Sequence, residues 1–328
     1  MKPIGVIGGG AWGTALAQVI AGGDRAVTLW EREPEVVEAI NAGHENPLFL
    51  PKIPLSPLIR ATPDLGEVAG AEAVLVVTPA QHMRSVLRGL GQGGSPLILC
   101  AKGIEASTHK LLHEVAREEH PGSPIAVLSG PTFAHEVAAG LPTAITLAAG
   151  DEEQAKVLAA LIARPTFRPY VSTDLAGAEI GGAVKNVLAI ACGVVEGAGL
   201  GQNARAALIA RGFAEMTRFG MARGARPETL AGLSGLGDLV LTCSSTSSRN
   251  FSLGVGLGQG KSARDLLSER RTVAEGAATA PVLVEAARAA GVDMPITEAV
   301  CALLAGEAAV DAVVERLLSR PLSTEHRA

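Results

Sequence analysis

Between Glu179 and Glu196 the chain carries one charged side chain, Lys185, within the run IGGAVKNVLAIACGVVEG (residues 180–197). A run so rich in Ala, Gly, Val, Ile and Leu predicts a buried helix. Burying an ammonium group without a partner is costly, so a lysine here needs a reason. Desolvation lowers a lysine's pKa towards the range where it exchanges protons at neutral pH, which makes Lys185 a candidate general acid or base. The structural alternative is that its stem lies along the helix while the head reaches solvent or a carboxylate.

A second constellation lies at the N-terminus. Residues 4–7 form a short apolar run followed by Gly8, Gly10 and Gly13 in GGGAWG, and then by a helical pattern over 14–21. This is G-x-G-x-x-G between a strand and a helix. The first glycine permits a tight turn, the second lets a pyrophosphate approach the backbone, and the third allows close helix–strand packing. The helix start adds free N–H groups and a positive dipole end for the phosphates. The next predicted strand, 26–30, ends at Glu31 and Arg32, 18 and 19 residues beyond Gly13. The acid suits the ribose hydroxyls of NAD and the guanidinium suits the 2′-phosphate of NADP, so the pair leaves both cofactors open.

Further polar residues follow predicted strand ends. Lys102 comes after the strand 96–100, and Gly130 and Thr132 come after 125–128. In a doubly wound sheet ligands sit at such carboxyl ends, although a loop lysine is also explained as plain surface. Asp238 lies in the glycine-flanked turn LSGLGD, where its carboxylate could meet Lys185 or simply serve the turn. TCSSTSSRN (242–250) supplies six hydroxyl side chains, Arg249 and Asn250, donors suited to a phosphate monoester. Because Arg249 and Asn250 lead straight into an apolar helical segment, the run reads as a helix entry and not as a flexible spacer.

Two motifs are set aside. His109 and His113 stand four apart on a predicted helix, 108–119, but no glutamate follows His109 and no third ligand is evident. A solvated helix face is the expectation, with no metal site. GLGQGKS (256–262) fails as a nucleotide-binding P-loop because Val255 stands where the first glycine is required and no strand precedes it.

These residues need a particular framework. In the first half, strand runs at 73–77, 96–100, 125–128 and 143–147 alternate with helical patterns at 81–90, 108–119 and 152–163, which implies a doubly wound, largely parallel sheet of the Rossmann type. Around 170–174 the pattern changes. From Leu175 helical runs dominate: 175–197, 202–223, 251–257, 263–270, 278–290, 297–305 and 310–319, with a polar tail at 321–328. The expected division is 1–173 for dinucleotide binding and 174–328 as an all-helical substrate domain. Asp174 is a plausible helix cap at the join.

Composition and charge exclude several classes of protein. The chain has 328 residues, 48% of them hydrophobic, 19% charged residues and a net charge of −5, which gives no electrostatic footprint for nucleic acid or an acidic lipid surface. No uncharged window reaches the ~20 apolar residues that span a bilayer, so a soluble protein without membrane insertion is expected. Four dispersed cysteines, with no CxxC pair and no secretory signal, favour a reduced, cytoplasmic setting. The Ala/Gly-rich helices make a homodimer conceivable.

Taken together the motifs resemble the bacterial-type NAD(P)-dependent glycerol-3-phosphate dehydrogenases. The resemblance runs nearly the whole length: GGGAWGTALA, LWER, NPLFLP, AKGIE, SGPTFAHEVAAGLPTA, GAVKNVLAI, ALIARGFAEM, GLSGLGDLVLTCSSTSSRN and VAEGAATA. It implies a Rossmann-type sheet followed by a helical domain, as in 6-phosphogluconate dehydrogenase. It also implies reduction of dihydroxyacetone phosphate to sn-glycerol 3-phosphate for glycerophospholipid synthesis. By the same resemblance Lys185 is the catalytic acid/base. Substrate is held by Lys102, Gly130, Thr132, Lys185, Asp238, Ser248, Arg249 and Asn250. NAD or NADP is held by Gly8, Gly10, Ala11, Trp12, Gly13, Arg32, Phe49, Lys102, Ala134, Arg249, Val273 and Glu275. Thr132 stands where serine is common and Phe49 where tyrosine is frequent. The rival readings are a β-hydroxyacid dehydrogenase of related fold and a non-catalytic NAD(P)-binding sensor. The first usually has an Asn one turn after its lysine, a place taken here by Ala189, with Asn186 adjacent to the lysine.

Overall fold

The computed structural model describes residues 1–91, 93–268 and 274–319. It divides into two compact units, Met1–Lys102 with Lys110–Glu179, and Gly103–His109 with Ile180–Ala328.

The first unit is built on one eight-stranded sheet. Its strands are β1 (Ile4–Ile7), β2 (Val27–Trp30), β3 (Ile59–Thr62), β4 (Val74–Val76), β5 (Leu97–Leu99), β6 (Ile125–Ser129), β7 (Thr143–Ala149) and β8 (Phe167–Ser172). Their order is β3-β2-β1-β4-β5-β6-β7-β8. Every pair is parallel except β6 with β7. The order reverses between β1 and β4, the place where an open α/β sheet offers its ligand crevice. Successive residues serve opposite faces. Ile4, Val6, Leu75, Ile98 and Leu128 join one core, while Ile7, Val74, Val76, Leu97 and Val127 join the other.

The helices of this unit are α1 (Ala11–Ala21), α2 (Pro34–Gly43), α3 (Met83–Leu90), α4 (Leu112–Glu119), α5 (Ala134–Ala138), α6 (Glu152–Ile162) and the first turn of α7 (Leu175–Gly197). Strands β3 and β8 differ from the sequence expectation, which had none there. β3 is four residues long, and β8 is an edge strand whose Tyr170 and Val171 are exposed. Neither offers the continuous apolar run that marks a buried parallel strand. The expected helix over 108–119 starts only at Leu112, and His109 sits outside it with φ +56°. The expectation of a solvated histidine face also fails. His113 is buried and bonded to Glu179 through its Nδ1 (2.7 Å) and its backbone N–H (2.8 Å), while the His109 ring meets Glu285 at 3.0 Å.

The second unit is helical. The rest of α7 is followed by α8 (Gln202–Ala222), α9 (Pro227–Leu230), a π-turn at Leu233–Gly237, α10 (Asp238–Thr242), α11 (Arg249–Gly258), α12 (Ala263–Ser268), α13 (Glu275–Ala289), α14 (Pro295–Ala305) and α15 (Val310–Leu318). α7 is long and apolar enough by composition to cross a membrane, although it carries Lys185, and 94% of that window is buried inside the protein, as in the core helix of a globular fold. The π-turn, α8, α11 and α13 all approach it closely. α11 lies directly on it through small residues spaced four apart on both helices. A Cβ at Gly193 would stand 2.0 Å from the Phe251 carbonyl oxygen, and one at Gly254 would stand 2.0 Å from that of Ile190. No side chain larger than hydrogen fits there.

Candidate active site

In the sheet unit the glycine turn joins β1 to α1. Gly8 has φ +110°, a conformation that only glycine adopts freely. A Cβ on Gly13 would lie 1.8 Å from the Gly8 carbonyl oxygen, so the third glycine is required for α1 to approach the turn. Gly10 is different: nothing lies within 4 Å of its Cβ position. That open side, at the N-terminal cap of an eleven-residue helix, fits a pyrophosphate on the backbone. Close by on α1, the indole N–H of Trp12 is buried without a hydrogen-bond partner. The donors and the cradle suit a dinucleotide.

Glu31 and Arg32 take different positions at the end of β2. Glu31 is buried, and its Oε1 accepts hydrogen bonds from the backbone N–H of Arg32 (2.6 Å) and Glu33 (3.2 Å). Burial, reinforced by the Glu33 carboxyl, pushes its pKa up to about 7. The Arg32 side chain is 80% exposed and lies 3.1 Å from Glu33. Ala11 and Phe49 are half-buried, and Phe49 N–H donates to Asn46. Ala134 begins α5 and is half-buried too. Val273 lies outside the described residues.

At the carboxyl ends of β5 and β6 three of the expected residues meet. Lys102 Nζ and Thr132 Oγ1 both donate to the Gly130 carbonyl, each at 3.3 Å. Gly130 is closely packed: a Cβ there would stand 3.0 Å from Ile145 Cγ1, so Ile145 would have to give way by a few tenths of an ångström.

The helical unit holds the lysine. Lys185 is 6% exposed and Asp238 0%. Lys185 Nζ donates to Asp238 Oδ1 at 2.6 Å and to Thr242 Oγ1 at 2.9 Å. Thr242 is a site residue that sequence reasoning missed. It stands four residues after Asp238 on α10, a spacing that puts both side chains on one helix face. The local fold explains the pairing. A Cβ at Gly181, one turn before Lys185, would be 2.3 Å from the Ser234 carbonyl oxygen, so the π-turn rests against α7 and delivers Asp238 to the ammonium group. The nearby Cys243 thiol, hydrogen-bonded to Cys192 and buried, is held well above its usual pKa and is no nucleophile.

The hydroxyl-rich run enters α11 as expected. Ser248 caps the helix, its Oγ accepting from Phe251 N–H at 3.2 Å, which leaves its O–H to donate. Arg249 is exposed at the first helical position. Asn250 is buried, and its Oδ1 accepts from the Gly276 N–H at 3.0 Å, one residue after Glu275 at the start of α13. A Cβ at Gly276 would be 2.6 Å from the carbonyl oxygen of Asn186, the neighbour of Lys185. Asn250 is thereby joined to α7 through a single glycine. Among the described residues no group of three or more His, Cys, Asp or Glu side chains is arranged to hold a metal.

Comparison with known proteins bears on both units. Residues 3–155 match the family model for the NAD-dependent glycerol-3-phosphate dehydrogenase N-terminus, and residues 174–315 match that for the C-terminus. A glycerol-3-phosphate dehydrogenase (NAD(P)+) of Sphingopyxis alaskensis is 63% identical over 324 residues, covering 99% of this chain and 98% of its own. One from Caulobacter vibrioides is 59% identical over 327 residues, covering 99% of each. The crystal structure of glycerol-3-phosphate dehydrogenase from Coxiella burnetii has a TM-score of 0.93 and 37% identity over 97% of this chain and 99% of that one. D-mandelate dehydrogenase, at 15% identity and a TM-score of 0.64, shares the fold alone. On these matches the chain belongs to the NAD-dependent glycerol-3-phosphate dehydrogenase family.

Proposed function

We propose that this chain reduces dihydroxyacetone phosphate to sn-glycerol 3-phosphate with NADH or NADPH, using Lys185 as the proton donor. The observation that carries the reading is the buried ammonium held by Asp238 and Thr242. The nicotinamide supplies the hydride when bound. As charge builds on the C2 oxygen of the substrate, Lys185 stabilises it and transfers a proton from Nζ. Asp238 and Thr242 hold that Nζ in one place, which limits the reorganisation needed at the moment of transfer. In the reverse direction the same amine accepts the proton.

The phosphate falls to the start of α11. Arg249, the Ser248 O–H and the Asn250 amide provide charge-assisted and neutral donors there, and Lys102, Gly130 and Thr132 contribute from the sheet unit. Gripping the phosphate supplies binding energy remote from the reacting carbon. The turn at Gly8, Gly10 and Gly13, with Ala11 and Trp12, receives the pyrophosphate. Arg32, Phe49, Lys102, Ala134, Arg249, Val273 and Glu275 complete the cofactor contacts.

We assign dinucleotide binding to residues 1–173 and the acid/base and substrate-gripping residues of the helical half to 174–328. The product, a glycerol phosphate, suits glycerophospholipid synthesis, and four free thiols suit a cytoplasmic setting. The test is NADH oxidation followed by absorbance with dihydroxyacetone phosphate, dihydroxyacetone and a β-keto acid as alternative substrates. The phosphorylated ketone is expected to turn over with the highest kcat/KM. Preference for a keto acid, or NADH binding without turnover of any ketone, overturns the reading.

A further inference from the structure

The segment after α2 is tied to the glycine turn by one buried amide. Asn46 is 0% exposed, and so is Thr14 on α1. Asn46 Nδ2 donates to the Gly9 carbonyl at 2.8 Å and to Thr14 Oγ1 at 2.9 Å. Thr14 Oγ1 donates to the same Gly9 carbonyl at 2.9 Å. On its other side Asn46 Oδ1 accepts from Phe49 N–H at 3.1 Å, and its own carbonyl accepts from Leu50 N–H at 2.9 Å. Side chains 32 residues apart in sequence thus converge on one peptide oxygen.

The consequence follows from peptide geometry. In a trans peptide the C=O of one residue and the N–H of the next point in opposite directions, and no cis peptide is present among the described residues. Two donors hold the Gly9 oxygen inward, so the Gly10 N–H is turned outward. It faces the side where a Gly10 Cβ would meet nothing within 4 Å. Unanchored, a Gly-Gly peptide rotates at little cost, because neither residue has a Cβ to restrict it.

We propose that Asn46 is a positioning residue for the dinucleotide. With Thr14 it fixes the Gly9–Gly10 peptide so that the Gly10 N–H is presented to the pyrophosphate. Through Phe49 N–H it also sets the segment that bears Phe49. This rests on the cofactor reading of the glycine turn. A merely structural amide would affect folding and every ligand alike, whereas an aiming amide affects only ligands that carry the pyrophosphate.

The test uses the full chain with ADP-ribose, adenosine and NADH as probes, titrated by NMR or fluorescence. Asn46→Ala is expected to weaken ADP-ribose and NADH about tenfold or more, as for one or two net hydrogen bonds, while adenosine changes less than twofold. Thr14→Val, nearly isosteric, is expected to shift ADP-ribose in the same direction by about threefold, and it decides the matter if Asn46→Ala does not fold. Equal weakening of ADP-ribose and adenosine, or no weakening of either, overturns the proposal. Failure of the wild type to bind NADH at all instead sinks the cofactor reading on which it rests.

Discussion

The Lys185–Asp238 pair makes a prediction that separates chemistry from stability. Both groups are buried, at 6% and 0% exposure, and lie 2.6 Å apart. Replacing Lys185 by Met leaves a buried carboxylate without its cation. Replacing Asp238 by Leu removes the carboxylate that faces the ammonium, which keeps its hydrogen bond to Thr242 Oγ1. Each single change is expected to cost about 3–5 kcal/mol, because a buried charge loses the partner that offsets its desolvation. Were the two effects independent, the double variant would lose about 6–10 kcal/mol. It is expected instead to fall within about 2 kcal/mol of the wild type, since two apolar side chains of similar volume remove both desolvation penalties together. Urea denaturation of the four proteins, followed by helical circular dichroism, closes the cycle. The double variant should also show no dehydrogenase activity, which would mean the ion pair is retained for catalysis and not for folding. Additive losses would refute this argument and would place the pair among ordinary structural contacts.

Three further outcomes are expected. Gly10→Ala should fold with nearly unchanged stability, because nothing lies within 4 Å of the added methyl, yet it should weaken NADH binding about tenfold or more by standing where the phosphate approaches. Equal affinity for the two proteins would argue against phosphate at that turn. Arg32→Ala, which removes an exposed guanidinium, should lower kcat/KM for NADPH about tenfold or more while leaving NADH within about twofold; equal losses with both cofactors would contradict the 2′-phosphate role. Glu215, on α8, is buried against the start of α14, where its carboxyl accepts from Ile296 N–H (2.7 Å), Thr297 N–H (3.3 Å) and Thr297 Oγ1 (3.2 Å). Burial pushes its pKa from 4.5 up to about 7. The folded state therefore holds this proton more tightly than the unfolded chain. The contribution is fully present below pH 4.5 and is lost as pH rises towards 7. Relative to Glu215→Gln, wild-type stability should fall over that interval by up to about 3 kcal/mol. A pH-independent difference in denaturation midpoint would show that the carboxyl ionises freely.

Much of this arrangement was legible in the sequence because it rests on strong local signals. Gly8, Gly10 and Gly13 between a strand and a helix announce the turn, and a solitary lysine in an apolar helix announces Lys185. The meeting of Lys185 with Asp238 was open from sequence, since a turn aspartate has a local use as readily as a distant one. Thr242 went unnoticed among six hydroxyl side chains, because its role comes from the helical spacing to Asp238 and the π-turn before it, neither of which composition signals. His113 read as a surface residue because its partner Glu179 is 66 residues away. β3 (IRAT) and β8 (FRPYVS) alternate with polar or ring-constrained residues, so their strand character comes from sheet pairing and not from propensity.

The central claim is that one buried ammonium group donates the proton that completes carbonyl reduction. Its most direct test is the turnover of dihydroxyacetone phosphate by Lys185→Met at saturating NADH, measured beside the variant's affinity for NADH. The account predicts a loss of about 10²–10⁴-fold or more in turnover with cofactor affinity retained. Turnover within a few-fold of the wild type would contradict it.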